Sequence, residues 1–436
     1  MELTTAVRRL GPTWLAGAIA AGPATMASLL AAGVGFGYSL LWLVVLSAAF
    51  GALAQYLAAR LALHTGEGIV TTVERRLGDG WAWLLVGTVL VASGLAQLII
   101  MKTVADVSAL VTGFDARVWG VAWAVILAAG LAGGGYRVAE VGAKLVVSAV
   151  VLAFVVSLFV VPLDVGGAAA GLVPSLPAGS ALVAAGILGG AVHITLITMQ
   201  SYTMRARGWT EADAGVARFD IATSMLGAFG VYSLAIFLVA AGVLQGVADP
   251  ATLSATTAAQ ALGPLAGQYA ETLFLLGLWG AAVSTLGGNT VVPPYLLADK
   301  LGWETDVSDG RYRALVAGVA LLSAGGAFVG GAFLPLLVLV LAFGLVGTPF
   351  AVTLVLYLLS QGEESLSVLE SVGALALVAV TAVTAGAFVQ GRLESVTTDP
   401  MSALVVGAAV VLTAATLVLL GKTVAGRVRA TPTGVN

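Results

Sequence analysis

The chain has 436 residues, 59% of them hydrophobic and only 9% charged, with no cysteine and a formal charge of −3; the mean hydropathy is +1.04. Soluble domains carry about 25% charged residues, so the composition excludes a soluble globular protein and leaves a polytopic membrane protein. The missing cysteines exclude disulfides, thiolate metal ligands and cysteine nucleophiles.

A membrane span needs about 20 mostly apolar residues. Twelve stretches qualify: 12–35, 37–63, 81–112, 118–135, 140–161, 180–204, 219–246, 267–298, 313–333, 334–360, 368–390 and 400–421. Arg8 and Arg9 precede an apolar stretch that continues as the first span, which reads as a span and not a cleaved leader. With the N-terminus cytoplasmic, sixteen of the 19 Lys and Arg residues fall on the inner side. The outer side receives Lys102, Arg117 and Arg392. This positive-inside bias gives an inner-membrane protein with both termini in the cytoplasm.

Two spans contain breaks. In the first, Gly22-Pro23-Ala24-Thr25 interrupts the middle of the apolar run. In the sixth, Gly186 to Thr195 carries Gly189-Gly190 and then His193. The two occupy corresponding positions five helices apart, and an odd offset puts the second half upside down. That is the expectation for an inverted repeat whose substrate site lies where the broken helices face each other. Unwound backbone at this depth must line a cavity or be buried in protein. Packing notches and a simple proline kink are the plainer reading of either break alone.

From Gly11-Pro12 through Gly37-Tyr38, Leu40-Leu41-Trp42, Gln55-Tyr56-Leu57 and Thr65-Gly66, the chain resembles the Nramp family of divalent-metal transporters. Gly135-Tyr136-Arg137 with Glu140, Leu262-Gly263-Pro264-Leu265 with Leu273-Phe274, and Thr348-Pro349-Phe350-Ala351 continue the match in order. The resemblance implies an all-α, LeuT-type five-plus-five inverted repeat with discontinuous helices 1 and 6. The first repeat would cover 11–163, the second 180–360, and two additional helices with a tail 361–436.

The family's functional positions differ here. Its first-helix signature is Asp-Pro-Gly-Asn; this chain has Gly22 and Thr25 at the Asp and Asn positions and keeps Pro23. Its sixth-helix signature is Met-Pro-His; here the three positions are Ala191, Val192 and His193. The thioether that favours soft metals is absent there. Helix 3 places Gly94 and Gln97 where the family carries an Asp and a Glu linked to proton movement, and the helix 10 glutamine aligns near Leu341.

The resemblance therefore implies alternating-access transport of a divalent cation, magnesium or manganese before soft metals, with proton coupling weak or absent. The candidate site is Gly22, Pro23, Ala24, Thr25, Leu188, Ala191 and His193, with helix 8 contacts from Ser284, Thr285 and Asn289. Thr25 and His193 are the candidate metal ligands, helped by backbone carbonyls near Gly22 and Leu188 and by water. An unneutralised dication inside a membrane is costly, and magnesium keeps several waters. Transport of a small organic solute such as an amino acid, and a non-transporting membrane sensor or scaffold, are the alternative functions.

Other polar residues have two readings each. His193 fits a ligand, proton carrier or gate, and also a histidine hydrogen-bonded between helices. Lys102 and Asp106 share a helical face, as an intramembrane pair or as an outer-end pair reaching headgroups. Arg137, Glu140 and Lys144 fit an inner gate or a solvated loop. No phosphate-cradling loop, His-Glu-x-x-His or Ser–His–Asp set is present, so no enzymatic activity, cofactor or nucleic-acid partner is expected; the partners are a small substrate and the lipid bilayer. The sequence leaves the oligomeric state open.

Overall fold

The computed structural model describes residues 22–133, 148–247, 249–362 and 366–430, with side chains to residue 423. The Arg137–Glu140–Lys144 cluster and the first half of the first span lie outside these residues. Among the described residues every regular element is helical. Among the described residues, nine segments are long and apolar enough to cross a membrane.

One of the nine, Pro23–Thr65, holds two helices, α1 (Pro23–Phe36) and α2 (Leu41–Thr65), joined by a 3₁₀ turn at Gly37–Leu40. Gly37 has φ +53°, where a side chain would be strained. The rest of the first half is α3 (Ile69–Leu77), α4 (Asp79–Thr112) and α5 (Ala116–Gly133), then α6 (148–157). The second half contains α7 (Ala181–Val192), α8 (Ile194–Ala206), α9 (Ala214–Ala222), α10 (Gly230–Leu244), α11 (Ala270–Thr290), α12 (Val292–Leu301), α13 (Gly310–Leu322), α14 (Phe333–Val346) and α15 (Thr348–Ser360). Two further helices, α16 (Val368–Gln390) and α17 (Pro400–Ala430), follow.

Contacts along the stretch from α9 to α10 fix the direction of the first two helices. Gly33 of α1 meets Ala240, and Gly51 of α2 meets Met225. Further along α2, Tyr56 lies under Arg218. Hence α1 runs toward the Ala240 end and α2 returns to the Arg218 end. Arg60, Arg205, Arg207, Arg218 and Lys300 gather at that second end, called the basic end below. There Glu370 of α16 accepts from Tyr56 Oη at 2.7 Å and Arg60 at 3.1 Å, tying the first additional helix to α2.

Several expected spans are divided. Span 180–204 becomes α7 and α8, hinged at His193 with φ −55° and ψ 137°. Span 219–246 carries a π-helical segment, Thr223–Phe229, between α9 and α10. Such bulges often accompany functional sites. Span 267–298 becomes α11 and α12, and span 334–360 becomes α14 and α15, parted at Gly347. In both, a proline at the second helix's first turn explains the division, because it lacks the N–H that continuous helix requires. The short helix α3 was not expected: its nine residues are too few for a span, and Glu74, Arg75 and Arg76 make one face polar.

Candidate functional site

Helical geometry begins at Pro23 and is interrupted at His193, the two places the sequence pairs. At the first, Gly22 is extended (φ −71°, ψ 179°) and Pro23 opens α1. At the second, His193 closes α7 and opens α8. Its Nδ1 accepts from the backbone N–H of Thr195 at 3.2 Å, so the imidazole caps the helix that follows it. The carbonyl of Val192, freed by the break, accepts from the Thr348 hydroxyl at 2.6 Å. The third break, at α14–α15, thus satisfies the second.

Glycines bring the breaks together. A Cβ on Gly190 would press on the Thr25 side chain, and one on Gly189 would collide with the Leu341 carbonyl. At Gly344 it would overlap the His193 ring. Together these bare backbones let α1 and α14 approach α7 and seat the imidazole.

Between the breaks lies a cavity of about 500 Å³. Gly22, Pro23, Ala24, Thr25, His193, Thr285 and Asn289 line it, as the sequence suggested. Leu188, Ala191 and Ser284 are buried and do not line it. The Ala191 carbonyl faces Gly51 of α2 instead. Gly189 and Gly190 supply wall where Leu188 and Ala191 were expected.

Sequence reading missed Gln55 of α2, and Thr195, Met199, Gln200, Tyr202 and Arg207, which carry the lining along and just past α8 toward the basic end. A clue existed: after His193, α8 has a polar residue at nearly every turn of an otherwise apolar span. Six polar atoms among lining residues are buried without a hydrogen-bond partner: Gln55 Oε1, Thr195 Oγ1, Gln200 Nε2, Thr285 Oγ1, and Nε and Nη2 of Arg207. Buried polar atoms are nearly always paired, so such a group on a cavity wall suits water or a ligand.

Helices α4 and α11 meet through a neutral network. Gln97 donates to Thr290 at 2.7 Å, and Asn289 donates to Gln97 Oε1 and to the Ser93 carbonyl, both at 2.8 Å. Nothing in it titrates. Lys102 and Asp106 pair at 2.9 Å with the lysine side chain only 8% exposed. The lysine therefore stays inside the protein and does not reach headgroups. Neither residue lines the cavity.

Charge collects at the basic end. Asp299 of α12 accepts from Tyr202 Oη at 2.7 Å and from Thr71 Oγ1 at 2.6 Å, which ties α8 and α3 to α12. Arg207, just past α8, pairs with Asp220 of α9 at 3.0 Å; the side chains are 9% and 1% exposed. The guanidinium lies 4.2 Å from the centre of the Trp209 ring. Burial pulls the arginine below its ordinary pKa, and Asp220 opposes that shift. No group of three or more His, Cys, Asp or Glu residues able to hold a metal occurs among the described residues.

Comparison with known proteins places this arrangement. Relatives include the divalent metal cation transporters MntH of Mycobacterium tuberculosis, 28% identical over 80% of this chain and 83% of that protein. MntH of Yersinia pestis is 30% identical over 66% and 73%. Among solved structures, the Eremococcus coleocola manganese transporter superposes with a TM-score of 0.68 at 16% identity, covering 97% of this chain and 94% of the other. The nucleobase-cation-symport-1 transporter Mhp1 gives 0.57 at 15% identity, covering 95% and 92%. These likenesses establish the LeuT-type fold, with its inverted repeat and broken helices. The model of the natural resistance-associated macrophage protein-like family matches residues 13–391, and the chain accordingly belongs to the Nramp family.

Proposed function

We propose that the chain carries a divalent cation across the membrane by alternating access and takes it with much of its water shell. Family membership and the divalent metal cation transporters among its relatives support the cation. One observation supports the hydrated form: at the two breaks the polar groups of the cavity wall are hydroxyl, amide and imidazole, with no carboxylate among the described lining residues. A bare dication there would have no opposing charge. A hydrated one needs only acceptors for its water protons, which Thr285, Thr195 and Gln55 can provide. Magnesium suits this best because it sheds water reluctantly; manganese is the second choice.

The neutral Gln97–Asn289–Thr290 network supports transport without obligatory proton movement. The basic end faces the cytoplasm in this reading, by the positive-inside rule. Repeats at 11–163 and 180–360, followed by two additional helices, fit the order of the breaks. Apolar wall residues such as Met199, Val292 and Leu341 suit a small organic solute better than an ion, and that is the second reading. The test is uptake into proteoliposomes at fixed inside-negative potential, comparing Mg²⁺, Mn²⁺ and Ca²⁺ with protein-free vesicles. Saturable dication uptake without lumenal acidification is expected. Flat traces from folded protein would leave the organic solute or a non-transporting role.

A further inference from the structure

Among the described residues, the one formally charged side chain in the cavity lining is positive, that of Arg207. Asp220 engages Nη1 alone; Nε and Nη2 are buried without partners. Those two nitrogens form one edge of the planar guanidinium, with their N–H bonds parallel, which is the fork that grips a carboxylate with two hydrogen bonds. Gln200 lines the same cavity, is 3% exposed, and has an unpartnered Nε2. The second oxygen of Asp220 is also unpartnered, but Asp220 sits against Nη1, off the Nε–Nη2 edge. A simple gate arginine would not need this edge kept free, and a cation has no use for three buried donors.

We propose that Arg207 and Gln200 form a binding subsite for a small oxyanion of the carboxylate class at the basic end of the cavity. Arg207 supplies the charge and the paired donors, and Gln200 a third hydrogen bond. The subsite stands on these donors alone and is independent of which cation, if any, occupies the cavity between the breaks.

Trp209 provides a reporter because the guanidinium lies over its ring. Formate would be titrated into the purified full-length protein at constant ionic strength, with chloride as the balancing salt. The signal is the fluorescence of wild type minus that of Trp209→Phe. A saturable response to formate is expected. In Arg207→Lys, which keeps the charge and loses the fork, binding should weaken about tenfold or more, as expected for losing a charge-assisted hydrogen bond. Gln200→Leu leaves the Arg207–Asp220 pair intact and should weaken formate severalfold, which keeps the test decisive if Arg207→Lys does not fold. Glycine in place of formate separates two sources of the carboxylate. Tighter glycine binding, lost in the same variants, confirms the subsite and assigns the anion to a solute. A non-saturating response identical for formate and chloride would overturn the proposal, as would unchanged formate affinity in the folded variants. Because no transport is measured, this outcome is separate from that of the cation-uptake test.

Discussion

The two ends of the cavity are built on opposite principles. At the breaks, polar groups are neutral and much of the wall is backbone: Gly22, Gly189, Gly190 and the hydroxyls of Thr25 and Thr285. At the basic end, buried Asp220 and part-buried Asp299 hold Arg207 and Tyr202. Both carboxylates grip residues at the far end of α8, while its near end is capped by the neutral His193. The difference teaches where this protein tolerates charge. Charge ties the far end of α8 to its neighbours, and it is kept away from the breaks, where the substrate would sit.

That contrast can be broken at either end. The largest effect is expected for Asp220→Ala, which strands the buried Arg207 guanidinium. Removing one partner of a buried pair costs about 3–5 kcal/mol. Thermal unfolding in detergent should show it, and Arg207→Ala on top should recover part of the loss; equal damage in the double variant would mean the pair is not the anchor. At the neutral end, Gly344→Ala drives a methyl into the imidazole. Overpacking of this kind costs about 1–3 kcal/mol, and the paired variant Gly344→Ala with His193→Ala should be less impaired than Gly344→Ala alone. His193→Ala by itself removes a cap worth about 1 kcal/mol together with a cavity-lining ring, so uptake should fall further than stability does. Wild-type uptake in His193→Ala would assign the ring to capping only.

A smaller change sharpens the proton question. Gly94 has open space where a Cβ would go, so Gly94→Asp should fold normally. If the neutral α4–α11 interface is what uncouples protons, this variant should add lumenal acidification to dication uptake. Unchanged lumenal pH would locate the uncoupling elsewhere. The smallest effect concerns Asp309, which caps α13 and is held at a pKa of about 2 by Arg311. A depressed carboxylate stabilises the fold above its unfolded pKa of about 3.9 and loses that contribution as pH falls through about 2. Asp309→Asn should therefore narrow its stability difference from wild type between pH 4 and pH 2.

Much of this architecture was readable from residues. Gly189-Gly190 marked the right helix but stays inside α7, which runs on to Val192 and ends at His193; proline, which cannot continue a helix, placed the start of α1 at Gly22-Pro23. The dividing points at Val292-Pro293 and Thr348-Pro349 carried the same signal inside spans that hydropathy reads as continuous. The site was half legible. Thr25, His193, Thr285 and Asn289 stand out as polar residues in apolar spans. Leu188 and Ala191 looked like wall because the sequence places them beside the break, yet helical rotation turns them away. Arg207, Gln200 and Gln55 were passed over for a different reason: their significance rests on partners distant in sequence, and on hydrogen-bonding capacity left unused after folding.

The central claim is that the cavity holds a dication through its water. Pulsed electron paramagnetic resonance of protein-bound Mn²⁺ in ¹⁷O-labelled water tests it directly. The account expects several exchangeable waters on the metal, a histidine nitrogen at most, and no carboxylate ligand. A metal stripped of water and bound through protein carboxylates, or no bound Mn²⁺ in folded protein, would contradict it.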